Sequence, residues 1–354
     1  MRAWAVVENG APLKELELPT PEPKGTEVLL ETTHCGVCHS DLHIWEGYYD
    51  LGGGKKMSLK DRGVTLPLAM GHEIVGRVVK LGPDAKGVKV GDLRVVYPWL
   101  GCGECPACLA DEDNMCTRAA RSLGVYQNGG YATHVVAPHP RHLVDPGTVD
   151  PSLAATYACS GITVFSAIKK CMPMAPDDPI VLVGAGGLGL NAIAILRALG
   201  HKAIISVDVS AEKREGALAA GASAAVDGAG EGVAKRIIDA AGGPVGAVID
   251  LVNGTATARF SFDALRKGGR LVQVGLFGGE LYLPLPIMAI RALTVQGSYV
   301  GTVKDLRELM ALAQGGNLKA LPVEVVPQNQ ANDALMRLRD GRVAGRVVLR
   351  AEAA

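Results

Sequence analysis

Residues 180–199 constrain the fold more than any other stretch. Ile180-Val181-Leu182-Val183 is wholly apolar, Gly184-Ala185-Gly186-Gly187-Leu188-Gly189 follows, and Leu190 to Leu199 is an apolar helical run. Strand, Gly-x-Gly-x-x-Gly and helix in that order predict a βα unit. Its glycines let backbone N–H groups approach a pyrophosphate at the positive end of the helix. A second apolar run, Ala203 to Asp208, ends in a carboxylate 19 residues beyond Gly189. An acid at that place accepts hydrogen bonds from an adenosine ribose and repels a 2′-phosphate. The expected ligand is therefore NAD rather than NADP, held by Gly184, Gly186, Gly187, Leu188, Gly189 and Asp208.

The rest of the chain supports an α/β reading. Apolar runs at Ala247–Leu251, Arg270–Val274 and Leu293–Gln296 alternate with helical patterns at Thr255–Arg266 and Val303–Ala313, which predicts a doubly wound parallel sheet. The end of the 270–274 strand makes Val274 a further cofactor-wall candidate. Residues 1–32 instead alternate in short runs broken by Pro19, Pro21 and Pro23, suiting an antiparallel β start, and residues 122–145 also read as strand-like. Past Leu321 come a strand at 323–326, a helix at 332–339 and a strand at 345–349. At 354 residues the chain is long enough for two cores. Its 36 basic and 36 acidic residues balance, with no long run of one sign, which argues against a nucleic-acid partner. The start carries no apolar leader and no segment reads as the ~20 apolar residues of a membrane span, so the expectation is a soluble cytoplasmic protein. Eight cysteines in such a compartment suit metal ligation or burial better than disulfides.

Two cysteine clusters, a His-Glu pair and an isolated cysteine carry the chemistry. Cys35-Gly36-Val37-Cys38-His39-Ser40-Asp41-Leu42-His43 gathers thiols, a hydroxyl, a carboxylate and imidazoles in nine residues. Taken alone, its Cys-x-x-Cys fits half a structural zinc site or a redox pair. His72 and Glu73, in Gly71-His72-Glu73-Ile74-Val75-Gly76, offer a second ligand and a nearby carboxylate. Cys102-x2-Cys105-x2-Cys108-x7-Cys116 is the most specific signal: four thiolates at that spacing wrap one ion tetrahedrally and leave no position open, as in a structural zinc site. An iron–sulfur cluster is the rival, weakened by the missing Cys-Pro. An isolated Cys159 would by default be a buried thiol; it reads as a ligand because Cys38 and His72 leave a catalytic zinc one protein ligand short. The glycine-rich segment 51–63 reads as a mobile surface loop, with a lid over a cleft as the alternative.

With these pieces assembled, the sequence resembles zinc-dependent medium-chain alcohol dehydrogenases of the tetrameric yeast and bacterial type. The likeness spans essentially the whole chain. It is carried by residues 35–43, GHEIVGRVV (71–79), the four-cysteine lobe (102–116), ACSGITV (158–164), VGAGGLG (183–189), GSYVG (297–301) and GRVAGRVV (341–348). The resemblance implies a GroES-like β-rich catalytic domain from residues 1–158 and 298–354, with its structural zinc lobe near 99–118, and a Rossmann domain over 159–297. It also implies Cys38, His72 and Cys159 on a catalytic zinc, Glu73 as a carboxylate behind it, Asp41 orienting His72, and Ser40 and His43 as a proton relay. Thr163 would pack on the nicotinamide, Arg346 meet the pyrophosphate, and Lys213 sit beside the adenosine ribose. Tyr49, Trp99 and Leu276 would line the substrate pocket.

Two positions depart from the family pattern. His39 stands where some relatives have Arg near the phosphates, implying a weaker grip, and Tyr49 where yeast-type enzymes have Trp, implying a wider site. The implied reaction is NAD-dependent oxidation of primary or secondary, including aromatic, alcohols to aldehydes or ketones, and its reverse, with two zinc ions per chain and a homotetramer. A polyol dehydrogenase of the same superfamily is the nearest rival, and a non-catalytic zinc-ribbon scaffold the rival of another class. Cys35 and Cys171 are read as small buried hydrophobes.

Overall fold

The computed structural model describes residues 1–351, so the last three residues of the expected catalytic domain lie outside the described part. Six strands form an all-parallel sheet in the spatial order Ala224–Asp227, Ile204–Asp208, Ile180–Val183, Val245–Asp250, Leu265–Gln273 and Thr294–Gly297. The first strand in sequence, Ile180–Val183, lies mid-sheet, and the order reverses beside it. Ligands bind such sheets in the crevice beyond the carboxyl end of that strand, which is where the glycine-rich turn lies. The Ala224–Asp227 strand and the helices Ala211–Ala220 and Val233–Ala241 complete the sheet beyond the expected elements.

A second, seven-stranded sheet is fed from both ends of the chain. Val28–Val37 lies at its centre, flanked antiparallel by Glu73–Leu81 on one side and by Arg346–Arg350 on the other. Residues 122–145 are less regular than their alternation suggests, with strands only at His134–Ala137 and Leu143–Val144. A helical run starts at Pro151, capped by the Asp150 carboxylate, which accepts from Ser152 and Leu153 N–H at 2.9 and 3.3 Å. It passes through a π-helical turn, Tyr157–Gly161, and continues as Ile162–Cys171. Among the described residues this run is long and apolar enough to cross a membrane, yet 89 % of its most apolar window is buried inside the protein. It is a core helix.

The segment 51–63, expected as a loop, starts inside a β-hairpin and ends in a short 3-10 turn, Lys60–Arg62. Tyr48–Asp50 pairs with Lys56–Ser58, and the turn uses Gly52, Gly53 and Gly54, all at positive φ. Three glycines and a two-lysine run conceal the alternation that would reveal so short a hairpin. Its turn rests on the Rossmann side: a Cβ on Gly52 would stand 2.8 Å from the Gly279 carbonyl carbon, and one on Gly278 would stand 2.6 Å from the Asp50 oxygen.

Cys35 is fully buried between two glycines that exist for it. A Cβ on Gly130 would lie 2.6 Å from its Sγ; one on Gly71 (φ +87°) would lie 2.6 Å from the same sulfur and collide with the Tyr131 ring. Gly71→Ala thus combines overpacking with left-handed strain, a cost on the order of 2–5 kcal/mol. The expected outcome is a melting temperature lower by roughly 5–15 °C in calorimetry; a shift under about 2 °C would show that this packing yields easily.

Candidate active site

The Cys38 thiol, the His72 imidazole and the Cys159 thiol converge from three elements. Cys38 caps the helix His39–Glu46, His72 immediately precedes the Glu73–Leu81 strand, and Cys159 sits in the π-helical turn, which widens the helix locally. One ligand atom from each lies within 4.8 Å of the others, all three residues are buried, and the two sulfurs are 3.8 Å apart. With Zn–S bonds of ~2.3 Å, a tetrahedron places its sulfurs roughly 3.8 Å apart, so the pair fits one zinc ion. His72 Nδ1 faces Asp41 Oδ1 at 3.2 Å, and its buried Nε2 has no hydrogen-bond partner, which leaves that nitrogen for the metal. Three protein ligands leave the fourth place open, the arrangement of a catalytic rather than a structural zinc.

The electrostatics suit a cation. The Cys159 thiol beside it, then the positive charges of His72 and Arg346, hold the Cys38 thiol well below its usual pKa despite burial, while the same pairing and burial push Cys159 up. Burial alone would lower the His72 pKa, yet Asp41 and Cys38 raise it well above normal. Metal binding must displace that proton, so affinity rises with pH.

Two buried carboxylates organise the centre. Asp41 accepts from Cys38 N–H at 2.9 Å and Tyr131 O–H at 3.2 Å while facing His72. Glu73 makes an ion pair with Arg346 and accepts from Ser160 N–H at 3.3 Å; burial, opposed by Arg346, lifts its pKa to about 7. Gly36 leaves room for it, since a Cβ there would overlap Glu73 Oε2. Arg346, expected at a pyrophosphate, pairs with Glu73 through one guanidinium nitrogen and lies against the glycine-rich turn, where a Cβ on Gly187 would sit 2.5 Å from its Cδ and 3.4 Å from its Nη1.

The relay candidates lie on the helix His39–Glu46. Ser40 Oγ is 3.8 Å from Cys38 Sγ, and His43 follows one turn later on the same face. Burial and the neighbouring His39, whose ring is 6.1 Å away, lower the His43 pKa, so it is a neutral acceptor at neutral pH. Tyr49 packs 5.0 Å from His43, and Trp99 lies 5.2 Å from His72 with its N–H donated to Ala158 O at 3.0 Å. Leu276 is 46 % exposed in the loop that receives the hairpin.

The glycine-rich turn is shaped for close approach. A Cβ on Gly189 would overlap the Gly184 carbonyl, whereas one on Gly186, at the helix N-cap, would meet no protein atom. Asp208 accepts from Ala185 N–H at 2.8 Å and Ser210 N–H at 2.9 Å, which fixes its carboxylate at the mouth of that turn. Lys213 begins the following helix, Val274 is buried just past its strand, and Thr163 is buried in the helix Ile162–Cys171. The sequence reading passed over Ser160 and Asn191. Asn191 Nδ2 donates to Ser160 Oγ at 2.9 Å, linking the coenzyme-side helix to the residue that holds Glu73. A buried Asn in an otherwise apolar helix is the one signal that points to it.

The four-cysteine lobe is a closed site. Its sulfurs lie within 4.8 Å of one another, with Cys105–Cys108, Cys102–Cys108 and Cys105–Cys116 at 3.5, 3.9 and 3.9 Å. That spacing fits a single zinc and is too tight to surround a multi-iron cluster, which removes the rival reading. Backbone N–H groups of Cys105 and Glu104 point at Cys102 Sγ at 3.3 and 3.4 Å, and Cys116 Sγ accepts from Cys102 and Ala119 N–H at 3.3 and 3.5 Å. Although burial opposes it, these contacts lower the Cys116 pKa to about 6.

Comparison with known proteins agrees with this construction. Residues 24–146 match the alcohol dehydrogenase GroES-like domain and residues 187–315 the zinc-binding dehydrogenase domain. The chain is 37 % identical to an NAD-dependent alcohol dehydrogenase of Sulfurisphaera tokodaii, across 99 % of both chains. The crystal structure of the Aeropyrum pernix alcohol dehydrogenase superposes with a TM-score of 0.89 at 30 % identity, covering 99 % of this chain and 100 % of that one. The D-arabinose dehydrogenase of Sulfolobus solfataricus superposes with a TM-score of 0.82 at 28 % identity, covering 99 % and 98 %. The chain belongs to the zinc-type medium-chain alcohol dehydrogenase family.

Asp41→Asn keeps the shape but weakens the acceptor that faces His72. It is expected to loosen the ion at Cys38, His72 and Cys159 by about 10–100-fold in chelator competition while the four-cysteine ion stays bound. Equal loss of both ions would contradict a role for Asp41 at one site only.

Proposed function

We propose that this chain oxidises alcohols to aldehydes or ketones with NAD, and runs the reverse reaction, at the Cys38–His72–Cys159 centre. The observation that supports it most is the open, three-ligand zinc geometry beside both the Ser40–His43 helix and the glycine-rich turn. A zinc ion held by Cys38, His72 and Cys159 would supply Lewis acidity, and a nicotinamide bordered by Thr163 and Val274 would supply the hydride acceptor. The chain's own residues do the rest. Ser40 Oγ accepts the alcohol proton as its own hydroxyl proton moves on, by way of the coenzyme's nicotinamide ribose, to neutral His43, which releases a proton to solvent. Asp41 holds the His72 ring, Arg346 balances the Glu73 charge beside the metal, and Trp99 and Tyr49 wall the cleft. Asp208, with Lys213 nearby, receives the adenosine ribose, the turn 184–189 receives the pyrophosphate with His39 at the helix start, and Thr163 and Val274 border the nicotinamide.

The same reading covers organisation. The catalytic body comprises residues 1–158 and 298–354 and the Rossmann body 159–297. Self-association to a homotetramer, or a dimer, would use the outer edge of the Thr294–Gly297 strand, which pairs on one side only, and the exposed Tyr282, Leu285 and Ile290 beside it. None of the eight cysteines forms a disulfide, and six of them are metal-ligand candidates, which supports a cytoplasmic reading.

The reading is tested by NADH formation from NAD over primary, secondary, aromatic and polyhydroxy alcohols, with and without a zinc chelator. Chelator-sensitive turnover is expected, and Ser40→Ala should lose about 100-fold or more in kcat with both ions retained; unchanged turnover in that variant would remove the relay. Asp208→Gly is expected to shift the NAD/NADP preference at least tenfold toward NADP through loss of ribose bonds and of charge repulsion. An unaltered cofactor ratio would contradict the ribose assignment.

A further inference from the structure

The chain leaves the parallel sheet at the Thr294–Gly297 strand and enters the helix Val303–Gln314 through residues 298–301. Both ends of this crossover are pinned. Ser298 N–H donates to Gln273 O at 2.9 Å. The helix opens with a capping box, in which Thr302 N–H donates to Asp305 Oδ2 at 2.8 Å and Asp305 N–H to Thr302 Oγ1 at 3.0 Å. Between these ends Val300 sits at φ +42°, among the described residues the one β-branched side chain in the left-handed region. Such backbone is costly and persists only where its surroundings over-determine it. Here the carbonyls on either side of Val300 are both captured. Asn114 Nδ2 donates to Tyr299 O at 3.1 Å, and the buried Tyr97 hydroxyl donates to Gly301 O at 2.8 Å.

The two donors belong to one support. Asn114 lies in the short turn Asp113–Met115, which ends on the metal ligand Cys116 and is tied down by Arg141, donating to Asp113 Oδ1 at 2.8 Å. Burial pushes the Tyr97 phenol well up, which keeps it a protonated donor, although the Asn114 backbone N–H at the same hydroxyl works against that push. The crossover they hold borders the reacting centre. Its first residue is bonded to Gln273, next to Val274. Its last rests on Ile162, next to Thr163, since a Cβ on Gly301 would stand 2.9 Å from Ile162 O. The Tyr299 ring lies 5.9 Å from Trp99, which is itself 5.2 Å from His72. Residues 298–301 thus run between the two residues assigned to the nicotinamide and the wall of the metal centre.

We propose that Asn114 and Tyr97 are positioning residues for hydride transfer: by holding two carbonyls they keep residues 298–301 in a strained path that shapes the place of the nicotinamide ring. The inference deepens the NAD-dependent reading and rests on it. A crossover free to relax about Val300 would leave that ring less confined, and the reacting carbons less well aligned. The adenosine end, received at Asp208 toward the other edge of the sheet, would be untouched. The closed four-cysteine lobe, through the turn that bears Asn114, then serves the reaction without touching it.

The test compares binding of NADH with binding of ADP-ribose, which carries the adenosine and pyrophosphate but no nicotinamide, by titration calorimetry on the zinc-loaded protein. Asn114→Ala removes the amide, Asn114→Asp keeps its shape but not its donor, and Tyr97→Phe removes the hydroxyl. The two Asn114 variants keep the test open should Tyr97→Phe fail to fold. Each folded variant is expected to lose roughly 3–10-fold in NADH affinity while ADP-ribose affinity stays within about twofold. In turnover, kcat should fall with the alcohol KM unchanged, and the primary deuterium isotope effect on kcat should rise as hydride transfer slows. Equal weakening of both ligands would mark a merely structural role, and unchanged NADH affinity in any folded variant would remove the anchor; either result overturns the proposal. Wild-type protein that binds neither ligand would instead contradict the NAD reading beneath it.

Discussion

The buried ion pair of Glu73 with Arg346 is the interaction on which the site's construction turns. Neither side chain reaches bulk water, and burying two such charges costs several kcal/mol per ion unless geometry and further bonds offset it. Such a pair is weak support for stability, and its value here lies in placement. Glu73 opens one strand and Arg346 another, and both strands flank the central Val28–Val37 strand. The Arg346 stem presses on Gly187 at the start of the coenzyme helix. Ser160 N–H binds Glu73, and Asn191 binds Ser160. One cluster of contacts thus ties both ends of the chain, the helix bearing Cys159 and the glycine-rich turn to a common reference point.

From that reference the two metal sites follow different logics. In the four-cysteine lobe all ligands come from a 15-residue span, Cys102 to Cys116, and backbone N–H groups stabilise the sulfurs, so the site closes locally. The other site draws ligands from residues 38, 72 and 159 and forms only when the whole catalytic body is assembled. It carries surplus negative charge from Asp41 and Glu73, which a dication and Arg346 balance. Local closure yields stability, and long-range assembly leaves an open face toward the cleft.

The ease with which each part could be read reflects the same contrast. The cysteine spacing and the strand–glycine–helix unit are local signatures with one physical meaning, so the ligands and the parallel sheet were legible. Cys159 joined Cys38 and His72 by counting the ligands a catalytic zinc needs, before the family resemblance supported it, because spacing alone left it a buried thiol. Arg346 was assigned to phosphate by the resemblance, and its pairing with Glu73, 273 positions away, has no sequence signature. The hairpin at 48–58 stayed hidden because Gly52-Gly53-Gly54 satisfies a turn by conformational freedom rather than by pattern. The strand Ala224–Asp227 is short and half exposed and so carries little pattern, whereas the helix Val233–Ala241, with Val233 and Ile237 on its buried face, is plainly amphipathic and was legible though not read.

The central claim is that one chain holds two zinc ions in unlike environments, one closed and one open to substrate. Anomalous diffraction at the zinc edge tests it most directly. The account predicts two peaks per chain, one enclosed by Cys102, Cys105, Cys108 and Cys116, and one bounded by Cys38, His72 and Cys159 with a non-protein ligand toward the cleft. A single peak in the four-cysteine lobe of fully active crystals, with nothing at Cys38, His72 and Cys159, would contradict it.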